Sequence, residues 1–165
     1  MKKTIFSIAF LAILALNLSV SAMVKADFSG TWKLDTAKSS GLPPGMEQTM
    51  TVTQTGDTIK LETKVKSQQG EQTVPDSYNL DGKEADFAPA NMPKGKGKRT
   101  AKWNTDGGGI EVSEKAEVEA PDGSTATIEA TRKWSLSSDG KTLTIDMKVK
   151  TPQGEMETKR IFVKQ

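Results

Sequence analysis

The feature that most constrains this chain is an alternation of apolar and polar side chains, broken at short intervals by glycine-containing turns. After Lys141, residues Leu143, Ile145, Met147 and Val149 fall on one face, with Thr142, Thr144, Asp146 and Lys148 on the other. Ile59, Leu61 and Val65 alternate in the same way with Lys60, Glu62, Lys64 and Lys66, and Ile110, Val112, Ala116 and Val118 with Glu111, Ser113, Lys115 and Glu117. A period of two describes strands with one dry face and one wet face. Thr55-Gly56-Asp57, Gln69-Gly70, Asp81-Gly82, Asp106-Gly107, Asp122-Gly123, Asp139-Gly140 and Gln153-Gly154 supply the turns, with a weaker break at Gly95/Gly97. The runs between them predict an all-β fold, an antiparallel up-and-down meander of eight to ten strands. Strands dry on one face must cover it, by rolling into a barrel or by folding into a sandwich. An outer-membrane barrel is excluded, because its outward face must be apolar and this one carries Lys, Glu and Thr.

The N-terminal end obeys different rules. Lys2 and Lys3 precede the apolar run Ile5 to Leu18, and small residues follow at Ser19, Ser21 and Ala22. This is the pattern of a secretory signal peptide, and the run is short for a bilayer span. Cleavage after Ala26 gives residues 1–26 as signal peptide and 27–165 as a single domain, and cleavage after Ala22 is the alternative. Without residues 1–26 the chain holds 20 basic and 21 acidic residues, a net charge of −1, so the basic balance of the full sequence does not survive processing. Nucleic acid and stable membrane insertion are thereby disfavoured as partners, and the expected location is periplasmic or secreted. Leu, Ile, Val and Phe make up only 21 of these 139 residues, but disorder also requires a high net charge. With no Cys and no His, the chain lacks disulfides and the commonest general base, thiol nucleophile and zinc ligands. No metal and no cofactor is expected, and the protein is read as a non-enzymatic one.

The start Asp27-Phe28-Ser29-Gly30-Thr31-Trp32-Lys33-Leu34 and the finish Thr158-Lys159-Arg160-Ile161-Phe162-Val163-Lys164 resemble the calycin superfamily of lipocalins and intracellular fatty-acid-binding proteins. Those proteins open with Gly-x-Trp, and fatty-acid-binding proteins run Phe-x-Gly-Thr-Trp-Lys-Leu at the start and Arg-Ile-Tyr at the end. The resemblance implies a lipocalin-like barrel that binds a small apolar or amphipathic ligand. Gly30 and Trp32 are then barrel-closing residues: Gly30 allows close backbone approach, Trp32 plugs one end, and a guanidinium from the last strand lies over the indole. Two positions depart from the pattern. Pro-Pro-Gly within Asp35–Glu47 cannot build the family's helical lid, and Phe162 replaces the Tyr that assists carboxylate binding.

Other motifs fail on context. Ser138-Asp139-Gly140-Lys141 has the Ser-x-x-Lys spacing of penicillin-recognising enzymes but forms a hairpin rather than a helix turn. The run Lys94-Gly95-Lys96-Gly97-Lys98-Arg99 lacks the spacing of a phosphate loop.

Turn chemistry also sets cross-strand partners. A two-residue Asp139-Gly140 loop sets Leu136 opposite Leu143, Trp134 opposite Ile145 and Arg132 opposite Met147. A three-residue loop within Ala120–Ser124 pairs Glu114 with Ala130 and Val112 with Arg132, and a Trp103–Ile110 pair puts Arg99 across from Glu114. A two-residue Gln153-Gly154 loop pairs Met147 with Arg160. Arg99, Glu114, Arg132 and Arg160 then ring the interior as the expected ligand site. Arg160 and Arg132 hold a carboxylate, Glu114 orients Arg99, and Leu61, Ile128 and Val149 line the tail. The alternatives are a self-satisfied ion cluster and, at the level of the whole protein, an interaction module whose interior is filled by its own side chains.

Overall fold

Among the described residues ten strands follow one another without a helix: β1 Gly30–Leu34, β2 Glu47–Thr55, β3 Thr58–Ser67, β4 Gly70–Asn79, β5 Asp81–Phe87, β6 Lys96–Trp103, β7 Gly109–Glu119, β8 Thr125–Leu136, β9 Thr142–Thr151 and β10 Gly154–Lys164. The computed structural model describes residues 25–68, 70–89, 95–119 and 123–165. The expected leader apart from Lys25 and Ala26, together with Gln69, Lys94 and residues 120–122 of the expected turns and basic run, lies outside the described residues. All pairings are antiparallel, in the order β4-β3-β2-β1-β10-β9-β8-β7-β6-β5. The first strand pairs with the last, Trp32 opposite Lys164, so the sheet closes on itself except between β4 and β5. Those two are joined by Leu80 alone and diverge at once, leaving a seam in a nearly closed barrel.

Turn chemistry explains most of the register. Gly140, at φ 66°, donates to the Ser137 carbonyl, and Asp139 Oδ1 accepts from the backbone N–H of Lys141. Leu136 then faces Leu143, Trp134 faces Ile145 and Arg132 faces Met147. Glu114 opposes Ala130 and Val112 opposes Arg132, while Arg99 opposes Glu114, all as the sequence predicts. The last hairpin differs. Thr151 pairs with Gly154, so Pro152-Gln153 forms the two-residue loop, and Met147 opposes Thr158 while Arg160 opposes Ile145. A slip of two residues preserves which face a side chain takes but moves it one inward rung along the strand.

The apolar core fills one end of the barrel, here called the lower end, where the Gly56, Gly107 and Gly140 turns lie. Phe28, Trp32, Ile59, Ile110, Val112, Leu143 and Phe162 are each 0 % exposed there. Trp134 is buried against Phe28 and Tyr78 in edge-on geometry at 5.7 and 6.0 Å. Each such side chain contributes about 1.5–3 kcal/mol by leaving water, which compensates for a composition lean in aliphatics. Trp32 donates its indole N–H to the Phe28 carbonyl at 2.8 Å. Gly30 is required where it stands: at φ 137°, a Cβ would sit 2.7 Å from Lys164 Cε. The cation over Trp32 is the Lys164 ammonium, 5.2 Å from the ring centroid, and not the expected guanidinium. Arg160 lies four residues further up β10, about 13 Å away along the strand. Trp103, opposite Ile110, packs against the core and stacks on Phe28 at 6.1 Å while half-buried at its strand end, where its N–H reaches Asp57 at 2.9 Å.

No lid helix follows β1. Asp35 and Ser40 instead continue along β10, donating to the carbonyls of Ile161 and Lys159 at 2.8 Å each. Gly41, at φ 70°, passes so close that a Cβ would sit 2.8 Å from the Glu157 carbonyl.

Candidate functional site

Above the apolar core, inward positions of at least six strands carry polar groups. Arg99 of β6 donates Nε to Glu114 Oε1 at 2.7 Å and, through Nη1 and Nη2, grips both oxygens of Asp76 at 2.7 and 3.2 Å. It also reaches the Ser77 carbonyl at 3.1 Å. Asp76 and Ser77 belong to β4, so this one side chain spans the seam. Its guanidinium lies 4.4 Å from the Phe87 ring and 4.9 Å from that of Tyr78, one aromatic from each side of the opening. Glu114 Oε2 takes Arg132 Nη1 at 2.5 Å. Burial opposes the charge on Arg99, but Asp76 and Glu114 outweigh it and raise its pKa. Two cations and two carboxylates make a neutral chain, Asp76–Arg99–Glu114–Arg132.

Arg160 stands outside that chain. One rung below Arg132, it makes no ion pair among the described residues. Its Nη1 donates to the Gln48 amide oxygen at 3.2 Å, and its buried Nε has no partner. Burial, and then the positive charge of Arg132, hold its pKa below the ordinary value. Thr158 Oγ1, next up the same face of β10, is also buried and unpartnered.

Arg99, Glu114, Arg132 and Arg160 all take inward positions, and the first three form with Asp76 the self-satisfied ion cluster that the sequence offers as an alternative, while Arg160 stands a rung away from its expected partner. Glu114 does orient Arg99, yet Asp76 occupies the rest of that guanidinium. Leu61, expected along a ligand tail, belongs to the packed core at 7 % exposure. Asp76 and Gln48 were missed. Both share parity with apolar neighbours, Asp76 with Val74 and Tyr78, Gln48 with Met50 and Val52. That signal was present, but no turn connects β4 to β6 to reveal the partner.

Above the belt many inward side chains are less buried than in the core, although Ala116 and Val118 are only 6 and 8 % exposed. Val65, Val74, Phe87, Ile128, Ala130, Met147 and Val149 all sit at inward parity and are only half-buried, and Met156 at the rim is 56 % exposed. A different concavity, about 670 Å³, lies on the outward face of β5–β8. Its charges satisfy one another, Lys98 with Asp86 at 2.7 Å and Lys115 with Glu129 at 3.2 Å, which marks a solvated ladder of cross-strand pairs. Among the described residues no group of three or more Asp or Glu is placed to hold a metal ion.

No family model matches the chain, and no curated protein matches its sequence. Among solved structures it is similar to zebrafish ileal bile acid-binding protein complexed with cholic acid, at 18 % identity over 84 % of this chain and 98 % of that one, with a TM-score of 0.52. It is also similar to secretory abundant heat soluble protein 4 from Ramazzottius varieornatus, at 11 % identity over 84 % and 94 % of the two chains, with a TM-score of 0.47. The first likeness shows the fold alone, an antiparallel up-and-down barrel shared with that bile acid-binding protein.

Proposed function

We propose that the chain is an exported, non-enzymatic binding protein for a small amphipathic molecule with an acidic head group. Arg160 carries this reading: a guanidinium whose buried Nε has no partner and whose charge no carboxylate offsets, at the floor of an interior walled by half-exposed apolar side chains. An unneutralised buried charge is costly, and a ligand carboxylate would both remove that cost and accept the free N–H. Met147, Val149 and Ile128 flank the path from Arg160 to the rim and suit the tail. The fold supports the same reading, since the similar zebrafish protein was crystallised with cholic acid. Nucleic acid is disfavoured because, of the basic run, Lys98 pairs with Asp86 and Arg99 turns inward. The filled lower half favours a second reading, an interaction module with no small ligand.

Calorimetric titration of decanoate separates the two. Arg160→Gln is expected to weaken binding about tenfold or more, because hydrogen bonds to charged groups are worth about 1.5–3 kcal/mol. Arg132→Met is the poorer probe, since it also strands Glu114. Equal affinity in wild type and Arg160→Gln, or saturation in neither, sinks the proposal.

Export belongs to the same reading, and two contacts bear on the cut. Lys25 pairs with Asp57 at 2.5 Å and lies 5.3 Å from the Trp103 ring centroid. Ala26 donates to the Gly107 carbonyl at 2.9 Å and accepts from Gln54 at 3.0 Å. Cleavage after Ala22 keeps these contacts and cleavage after Ala26 removes them, which supports the earlier site. Intact-mass measurement of exported protein is expected to give a chain beginning at Met23. A chain beginning at Asp27 overturns the assignment of the cut, and residues 1–22 retained in a membrane fraction overturn export.

A further inference from the structure

Resting on the anion-binding reading, we infer that the site takes only half the depth of the barrel and selects alkyl carboxylates of medium length, about eight to twelve carbons. The floor is fixed by the last hairpin. Arg160 faces Ile145 rather than Met147, and directly around and beneath it Ile145, Trp134 and Phe162 are 6, 2 and 0 % exposed, so no chain can pass below the guanidinium. The ceiling is fixed by strand length. On the side where Arg160 stands, β10 runs six residues from Arg160 to its start at Gly154 and β9 six from Ile145 to its end at Thr151, while β8 beyond them runs nine from Trp134 to Thr125. At about 3.3 Å per residue and a tilt near 40°, β9 and β10 rise about 15 Å above the anchor. An extended alkyl chain advances about 1.25 Å per carbon, given bonds of about 1.5 Å, so about twelve carbons reach the rim.

Inward residues between floor and rim fit that occupant. Met147 and Val149 on β9, and Ala130 and Ile128 on β8, are half-buried apolar rungs that a tail would cover. Thr158, one rung above Arg160, offers a buried hydroxyl with no partner at the height of the head group. On β10 Met156 is the last apolar side chain, and its neighbours Glu155 and Glu157 pair with Lys148 in solvent.

The test is a calorimetric series of straight-chain carboxylates from six to sixteen carbons, each kept below its micelle concentration, against the wild-type protein. Affinity is expected to rise about fourfold per methylene, the value for full burial of a CH₂. The rise should flatten to less than twofold per methylene beyond about twelve carbons. In Arg160→Gln every length should weaken by a common factor, with the flattening unmoved. A steady fourfold gain out to sixteen carbons overturns the half-depth site and leaves the anion-binding reading standing. No saturable binding at any length overturns both.

Discussion

Replacing Trp32 by alanine is expected to lower the stability of the barrel by about 3–5 kcal/mol, a large share of the roughly 5–15 kcal/mol that keeps an ordinary domain folded. Trp32 is fully buried, holds the Phe28 carbonyl through its indole N–H and carries Lys164 on its outer face. The substitution removes the plug, the hydrogen bond that fixes the N-terminal strap and the platform for that ammonium together. A cavity lined by Met50, Leu34 and Phe162 would remain, in a core with few aliphatics to collapse into it. Guanidinium denaturation followed by circular dichroism checks this, with Val163→Ala, a change at a 38 % exposed position, as the control. An unmoved midpoint for Trp32→Ala would show that the lower end is not closed by this residue.

Glu114→Gln is expected to cost a comparable amount, about 3–5 kcal/mol, for a different reason. Glu114 is 8 % exposed and is, among the described residues, the only carboxylate touching both Arg99 and Arg132. The amide keeps the shape but leaves two guanidinium groups facing each other without their shared counterion. The double variant Glu114→Leu with Arg132→Met should regain part of the loss, because it removes one of the two stranded charges as well. Asp76→Asn should cost less than either, since that carboxylate is 30 % exposed and water screens it. If Glu114→Gln shifts the midpoint no more than a charge removed from the outer ladder, such as Lys98→Gln, the belt is solvated and contributes nothing to holding the barrel.

How far the sequence reaches can be read from these same residues. Arg99, Glu114 and Arg132 were placed opposite their partners because Asp139-Gly140 and the Trp103–Ile110 pair each pin a hairpin locally, and parity carries the register up the strands. Arg160 was put on the right face but the wrong rung. Both candidate loops at Pro152-Gln153-Gly154 satisfy alternation, and the choice between them rests on backbone geometry: Gly154, at φ 141°, begins the strand and does not sit in the turn. That single slip separates Arg160 from Glu114 and turns an expected ring of arginines into a neutral chain plus one unmatched cation. Asp76 was out of reach for another reason. It meets Arg99 across the seam, where no backbone ladder exists to predict a partner, so only the folded barrel brings the two together.

The seam also determines how the molecule avoids joining its own kind. Every other strand has both edges occupied, whereas β4 and β5 each present one row of backbone donors and acceptors that a second chain could extend. Pro75 removes a donor from the middle of β4, and the register irregularity between Asp81 and Glu84 bends β5 away from a flat template. Asp81, Lys83, Glu84 and Asp86 add charge along that edge. The two edges are therefore guarded by Pro75, the irregularity in β5 and its charges, while the contacts of Arg99 with Asp76, Ser77 and Tyr78 tie β6 to β4 in place of a ladder.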